Sequence, residues 1–111
     1  MNIEQLYNFC LSKKGVTDSF PFNEDTLVFK VAGKMFCLTS LLDWELGTPK
    51  LNLKCDPEKS ETLRATYEAV NPGFHMHKKY WNTVTLHSDL SDIEVTKLIT
   101  HSYEEVVKKI T

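Results

Sequence analysis

Nothing in this 111-residue chain pairs its cysteines. Cys10, Cys37 and Cys55 are odd in number and share no C-x-x-C spacing, which excludes a disulfide framework and a zinc knuckle and points to a reducing cytoplasm. No apolar run approaches the roughly 18 residues of a membrane span. The opening MNIEQLYNF has no basic region followed by an apolar stretch, so neither a secretory leader nor a membrane partner is expected. The catalytic signatures G-x-S-x-G, G-x-x-x-x-G-K, G-x-G-x-x-G and H-E-x-x-H are all missing, so no enzyme activity and no cofactor are expected. Repeats, low-complexity tracts and linkers are absent too. What remains is a single domain over residues 1–111 of ordinary composition, 41% hydrophobic and 25% charged. A net charge of −2 argues against coating nucleic acid by bulk electrostatics.

The distribution of that charge is more informative than its sum. Residues 26–54 hold Lys30, Lys34, Lys50 and Lys54 against Asp43 and Glu45, and residues 71–87 hold Lys78, Lys79 and three histidines against no acid. The segments outside these two are each acidic on balance. Within the second segment, HMHKKYWNTV (His75 to Val84) sets lysines, histidines, a tyrosine and a tryptophan side by side. Clustered positive charge beside flat rings suits an anionic ligand that stacks, because charge attracts it and a ring supports it.

Asn2 with Gln5 predicts a helix N-terminal box, and Ile3, Leu6, Tyr7, Cys10 and Leu11 recur at helical spacing up to Gly15. TDSFPFNED reads as a loop, with Phe20 and Phe22 expected to pack back onto the core. Leu27–Val31 and Met35–Leu41 alternate around Ala32-Gly33-Lys34 and predict a β-hairpin. KLNLK (Lys50 to Lys54) is a period-two strand. Asp56-Pro57 opens a second helix whose stripe Leu63, Thr66, Tyr67 and Val70 runs to Asn71-Pro72-Gly73. Phe74–His77 and Trp81–His87 predict a second hairpin with Lys78, Lys79 and Tyr80 at its tip. Ser91 with Glu94 caps the last helix, striped by Val95, Leu98, Ile99, Ser102, Val106 and Ile110. The order α-β-β-β-α-β-β-α predicts an α+β fold, a two-layer sandwich with helices on one face of an antiparallel sheet.

With Leu27, Phe29, Val31, Leu51, Leu53, Val84 and Leu86 turned toward the helices, alternation leaves the opposite face to Lys30, Lys50, Asn52, Lys54, Trp81, Thr83, Thr85 and His87. The candidate nucleic-acid contacts are therefore Lys78, Lys79, Lys30, Lys34, Lys50 and Lys54 for phosphate, with Trp81 for stacking and Asn82 for stacking or base-edge contact. The solvated face of a half-buried sheet and a soluble hairpin tip would carry the same lysines, with Trp81 capping the core edge.

GKMFCL (Gly33 to Leu38), LNLKCDPEKSETLR (Leu51 to Arg64), PGFHMHKKYWNTV (Pro72 to Val84) and the pair Ser102-Tyr103, in that order, resemble the MmcQ/YjbR family of small bacterial proteins. The resemblance runs over essentially the whole chain. It implies a fold like that of the bacterial frataxin homologue CyaY, and DNA binding through a double wing of β-hairpins. The wings would map to the tips at Ala32–Lys34 and Lys78–Tyr80. An iron role of the frataxin type is not implied here: the first helix carries only Glu4 and ends in Lys13-Lys14, without the acidic edge such sites need.

Three further features are weighed beside this. His75, His77 and His87 could share one side of a strand and hold zinc, but no carboxylate or thiolate accompanies them, so no metal site is assigned. Cys55, just before a helix N-cap, is the thiol whose pKa could be lowered, against the commoner outcome of a buried, inert cysteine. Ser102 lies inside a helix and is expected to allow close packing. The function expected is weak, salt-sensitive DNA binding through the basic hairpins and open sheet face, or else a protein- or small-anion-interaction module on the same face.

Overall fold

The computed structural model describes residues 1–110. The first helix, α1 (Ile3–Leu11), starts from the predicted box: Asn2 accepts the Gln5 N–H, and the Gln5 side chain accepts the Asn2 N–H. After Gly15 the chain enters β1 (Val16–Ser19), a strand that the polar stretch VTDS does not announce. It pairs antiparallel with β2 (Thr26–Val31), which pairs in turn with β3 (Lys34–Ser40). The β2–β3 connection is the two-residue loop Ala32-Gly33, both at left-handed φ (51° and 76°), the geometry that matches strand twist in a tight hairpin.

Next come α2 (Leu41–Glu45), also unannounced by the sequence, and β4 (Lys50–Lys54), with the bounds expected from KLNLK. Asp56 caps α3 (Pro57–Thr66) by accepting the Lys59 N–H, with Pro57 in the first turn as predicted. The helix does not run on to Asn71, however. Tyr67 is extended, and Val70 opens the short strand β5 (Val70–Pro72), because Val70 buries itself by pairing with Val84 of β6 (Trp81–Thr85). Residues 74–77 are therefore a loop, not the first arm of a hairpin. The Ser91–Glu94 box opens α4 (Asp92–Val107), which buries Val95, Leu98, Ile99, Ser102 and Val106. Ile110 lies beyond the helix and is exposed.

The six strands form one antiparallel sheet in the order β1-β2-β3-β4-β6-β5. Side chains from all four helices join the predicted sheet residues Leu27, Phe29, Val31, Leu51, Leu53, Val84 and Leu86 in one core on one face. The expected α+β sandwich is present, with one strand and one helix more than the sequence suggests. No helix is long and apolar enough to cross a membrane among the described residues.

One irregularity shapes everything at the sheet's far end. Phe29 faces Cys37 but the next residue, Lys30, faces Met35, so Phe36 is an extra residue in β3. Phe36 and Cys37 both enter the core. Pairing of β3 with β4 is confined to Cys37–Leu53 and Leu38–Asn52. Beyond those pairs the Ser102 hydroxyl spans the gap, donating to the Phe36 carbonyl and accepting the Lys54 N–H at 2.8 Å. This serine does more than allow packing: it satisfies two backbone groups that the parted strands leave without each other.

Candidate nucleic-acid interface

Register fixes the face opposite the helices. Lys50 sits beside Thr85, Asn52 beside Thr83, and Lys54 beside Trp81, all on the open side as expected. Val28 and Leu38 lie there as well, and with Trp81 they form a second apolar cluster flanked by Met35, Met76 and Tyr80. The open face thus has a small core of its own, with Val28, Leu38 and Trp81 buried beneath Met35, Met76 and Tyr80 and polar groups around them.

Two loops turn this face into a groove of about 800 Å³. On one side, the loop before β2 is held by Asn23, which accepts the N–H groups of Asp25 and Thr26, and by Asp25, which accepts from Leu42 N–H and Ser40 Oγ. Held in this way, Phe22 stands 63% exposed at the groove edge, and Phe20 is exposed as well. Both were expected in the core; the core is already filled by Phe29 and Phe36. On the other side, the Thr83 hydroxyl accepts the Phe74 N–H at 2.8 Å, leaving the Phe74 ring 68% exposed with the His75 ring tilted against it, centroids 4.1 Å apart. Leu38, Ser40, Asn52, Thr83 and Thr85 line the groove between them. Asn52 accepts from Thr83 through Oδ1, and its amide nitrogen makes no bond within the described residues. It is available to an acceptor on a ligand.

At the Met35 end the groove meets a second recess of about 370 Å³, bounded by Gly33, Lys34, Met35, Lys54, Trp81, Val106 and Lys109. Lys34, the first residue of β3, lines it, and Lys109 extends from it to the Tyr80 ring, whose centroid has the ammonium groups of Lys79 and Lys109 at 5.5 and 5.3 Å. Burial holds the Lys54 pKa below its ordinary value, with Lys109 and Lys34 adding repulsion and Glu105 opposing it. Lys109, on the turn after α4, escaped sequence reasoning because its segment is acidic on balance.

The predicted contact residues divide sharply. Lys34, Lys54 and Lys79 gather at this end, with Lys30 beside Met35. Lys50 lies at the opposite end of β4, bonded to the Thr48 carbonyl and 3.9 Å from Asp43. Lys78 donates to the Gly73 carbonyl and so closes its own loop. Trp81 is on the expected face but only 9% exposed, because Met35, Met76 and Tyr80 cover it; it cannot serve as an open stacking platform. Asn82 is 2% exposed on the core side, where it accepts from Arg64 Nε and donates to Ser60 Oγ, so no base edge can reach it. Phe22, Phe74 and Asn52 offer the exposed ring and amide surfaces instead.

These three histidines go separate ways: His75 lies tilted against Phe74, His77 lies 5.1 Å from the Tyr80 ring, and His87 bonds the Met1 carbonyl. Cys55 is not an activated thiol. Burial raises its pKa, outweighing the hydrogen bond with Ser60 and the charge of Lys59. Cys37 is raised further by its hydrogen bond with Cys10 and by burial.

Residues 11–105 match the YjbR family. This chain belongs to the YjbR family. It is 30% identical over 107 residues to the Escherichia coli K12 protein YjbR, covering 96% of the chain and 88% of that protein. It is 40% identical over 88 residues to YbdF of Escherichia coli O157:H7, covering 79% and 70%. Among solved structures, this YjbR-family chain superposes on DR2400 of Deinococcus radiodurans with a TM-score of 0.89 at 35% identity, covering 97% of the chain and 80% of that one. A Pseudomonas syringae protein matches with a TM-score of 0.78 at 26% identity, over 95% and 98%. The resemblance drawn from the ordered sequence blocks and the expected α+β fold are both borne out.

Proposed function

We propose that this protein binds nucleic acid without catalysis, and that its ligand is an unpaired strand lying across the open sheet face. The observation that carries the reading is the pair of exposed rings, Phe22 and Phe74, on opposite sides of a groove lined by Asn52, Thr83 and Thr85 and joined to a lysine-rich recess. Exposed rings stack on bases whose faces are free, and a duplex hides those faces. Lysines at the groove end attract the backbone, while the Asn52 amide can meet a base edge. Binding without chemistry fits the reactive side chains as well: the Cys37 and Cys55 thiols are raised in pKa, and both roles of the Ser102 hydroxyl are taken by backbone.

The test is fluorescence anisotropy at low salt with a single strand of about ten nucleotides and the matching duplex. The single strand is expected to bind more tightly, and Phe22→Ala and Phe74→Ala are each expected to weaken it by about 5- to 100-fold. Both rings are exposed, so neither change should unfold the protein. Absence of binding at low salt, or equal duplex binding with both phenylalanine variants neutral, would overturn the reading. The exposed apolar rings of Phe22 and Phe74 favour one second reading, a protein-interaction module on the same face. Capture of a protein partner that survives nuclease and salt and is lost in Phe74→Ala would select it.

A further inference from the structure

The recess where β3 and β4 part differs in kind from the rest of the open face. Its opening is made by the extra residue Phe36 and bridged behind by Ser102, so it belongs to the backbone design of the sheet and not to a chance arrangement of surface side chains. Into this space of about 370 Å³ come lysines from three separate elements: Lys34 beside the hairpin loop, Lys54 at the end of β4, and Lys109 after α4. The nearest carboxylate influence is that of Glu105, which is itself paired with Lys108. Lys54 is partly desolvated and repelled by Lys109 and Lys34, so its charge is disfavoured where it stands.

We propose that this recess is a binding site for a phosphomonoester group. An internal phosphodiester brings one negative charge, whereas a terminal phosphate brings about −1.5 to −2 at neutral pH with three acceptor oxygens. Three lysines lining one recess, two of them close enough to be felt at Lys54, match the second in charge and in number of donors. Met35 and Trp81 supply an apolar wall at the mouth, and Met35 is shared with the groove. A strand end could therefore lie with its phosphate in the recess and its first bases toward the groove. The same chemistry would accept a free phosphorylated small molecule. For the strand-borne source, the inference rests on the nucleic-acid reading above; for the free source it does not.

Inorganic phosphate alone is the first probe, titrated at pH 7.5 against a chloride control of equal ionic strength. Backbone amide resonances and the Trp81 indole N–H resonance provide the readouts. Saturable shifts are expected at Gly33, Lys34, Lys54 and Trp81 with phosphate and not with chloride. Lys109→Gln and Lys34→Gln should each weaken binding roughly tenfold. Both sites are exposed, so folding is preserved, and Lys50→Gln at the other end of β4 should leave phosphate binding unchanged. The absence of a saturable phosphate effect, or an effect untouched by Lys109→Gln and Lys34→Gln, would overturn the proposal even if single strands bind the groove.

The second arm compares single strands bearing a 5′- or 3′-phosphate with the hydroxyl form. A gain of roughly tenfold from one terminal phosphate, lost in Lys109→Gln, would support the strand as its source. Phosphate binding with no such gain would support a free phosphomonoester. Phosphate binding with no strand binding at all would retain the recess and remove the nucleic-acid reading.

Discussion

His101 accepts the Asp56 N–H through Nε2 at 3.2 Å, which ties α4 to the N-cap residue of α3. That bond requires a ring unprotonated at Nε2. Burial, followed by the charge of Lys59, holds the His101 pKa below its ordinary value of 6.5; Glu105 and Asp56 oppose the shift, and Lys108 adds to it. The unfolded chain therefore takes up a proton that the folded chain resists. Stability from this residue is complete above about pH 6.5 and is lost as pH falls toward the lower folded pKa. A thermal melting series should be level near neutrality and decline from about pH 6.5 downward. His101→Gln should remove that upper decline. Asp89 and Glu94, both lowered chiefly by backbone N–H bonds, lose their contributions only at more acidic pH and would remain in the variant. Superimposable wild-type and variant profiles between pH 7 and 5 would count against the assignment. Residue identity alone concealed this behaviour, as it concealed the roles of Trp81 and Asn82. A side chain's chemistry depends on what folds over it, and Met35, Met76 and Arg64 reach those residues only through tertiary structure.

At the scale of elements, the legible parts were those specified by neighbours in sequence. The Asn2–Gln5 and Ser91–Glu94 boxes, the KLNLK alternation and the Asp56-Pro57 helix start all involve residues within a turn or a strand of each other. The missed strands β1 and β5 are short and carry little alternation of their own, and each is defined only by pairing with the strand that follows it. Face assignment succeeded because one strand's alternation fixes all its side chains, but the loops that wall the groove follow no such period. The loop 73–80 is an example: Gly73 approaches Trp81 so closely that a Cβ would meet Trp81 Cβ at 2.8 Å. Arg64 holds the loop's other end by donating to Asn82 Oδ1 and to the carbonyls of Lys78 and Trp81. Arg64→Met keeps the aliphatic stem and removes these donors. It should cost about 2–3 kcal/mol in urea unfolding. It should also speed tryptic cleavage at Lys78 and Lys79, while the distant hairpin keeps its protection from hydrogen exchange. Unchanged cleavage there would mean that Lys78 and Thr83 suffice to hold the loop.

For the molecule as a whole, a net charge of −2 coexists with a locally positive end, because Lys30, Lys34, Lys54, Lys79 and Lys109 collect near one edge of the open face. The long-range field gives an anion little steering, whereas local contact can still release counterions. A single strand touching all five lysines would give a log–log salt slope of about −3.5, from roughly −0.7 per phosphate neutralised. Affinity should then fall about a hundredfold between 50 and 200 mM salt. Lys34→Gln should reduce the slope by about 0.7. Lys50→Gln should reduce it less, since that lysine, although it lines the groove, already has Asp43 at 3.9 Å. Phe74→Ala should lower affinity at every salt concentration with the slope intact, because stacking releases no counterion. The two classes of variant therefore separate the two halves of the site. If Lys50→Gln and Lys34→Gln change the slope equally, positive charge acts as a diffuse property of the sheet, and the focused end loses its special role. If Phe74→Ala changes the slope, the ring is positioning the backbone rather than meeting a base, and the strand runs along the loop instead of across the groove.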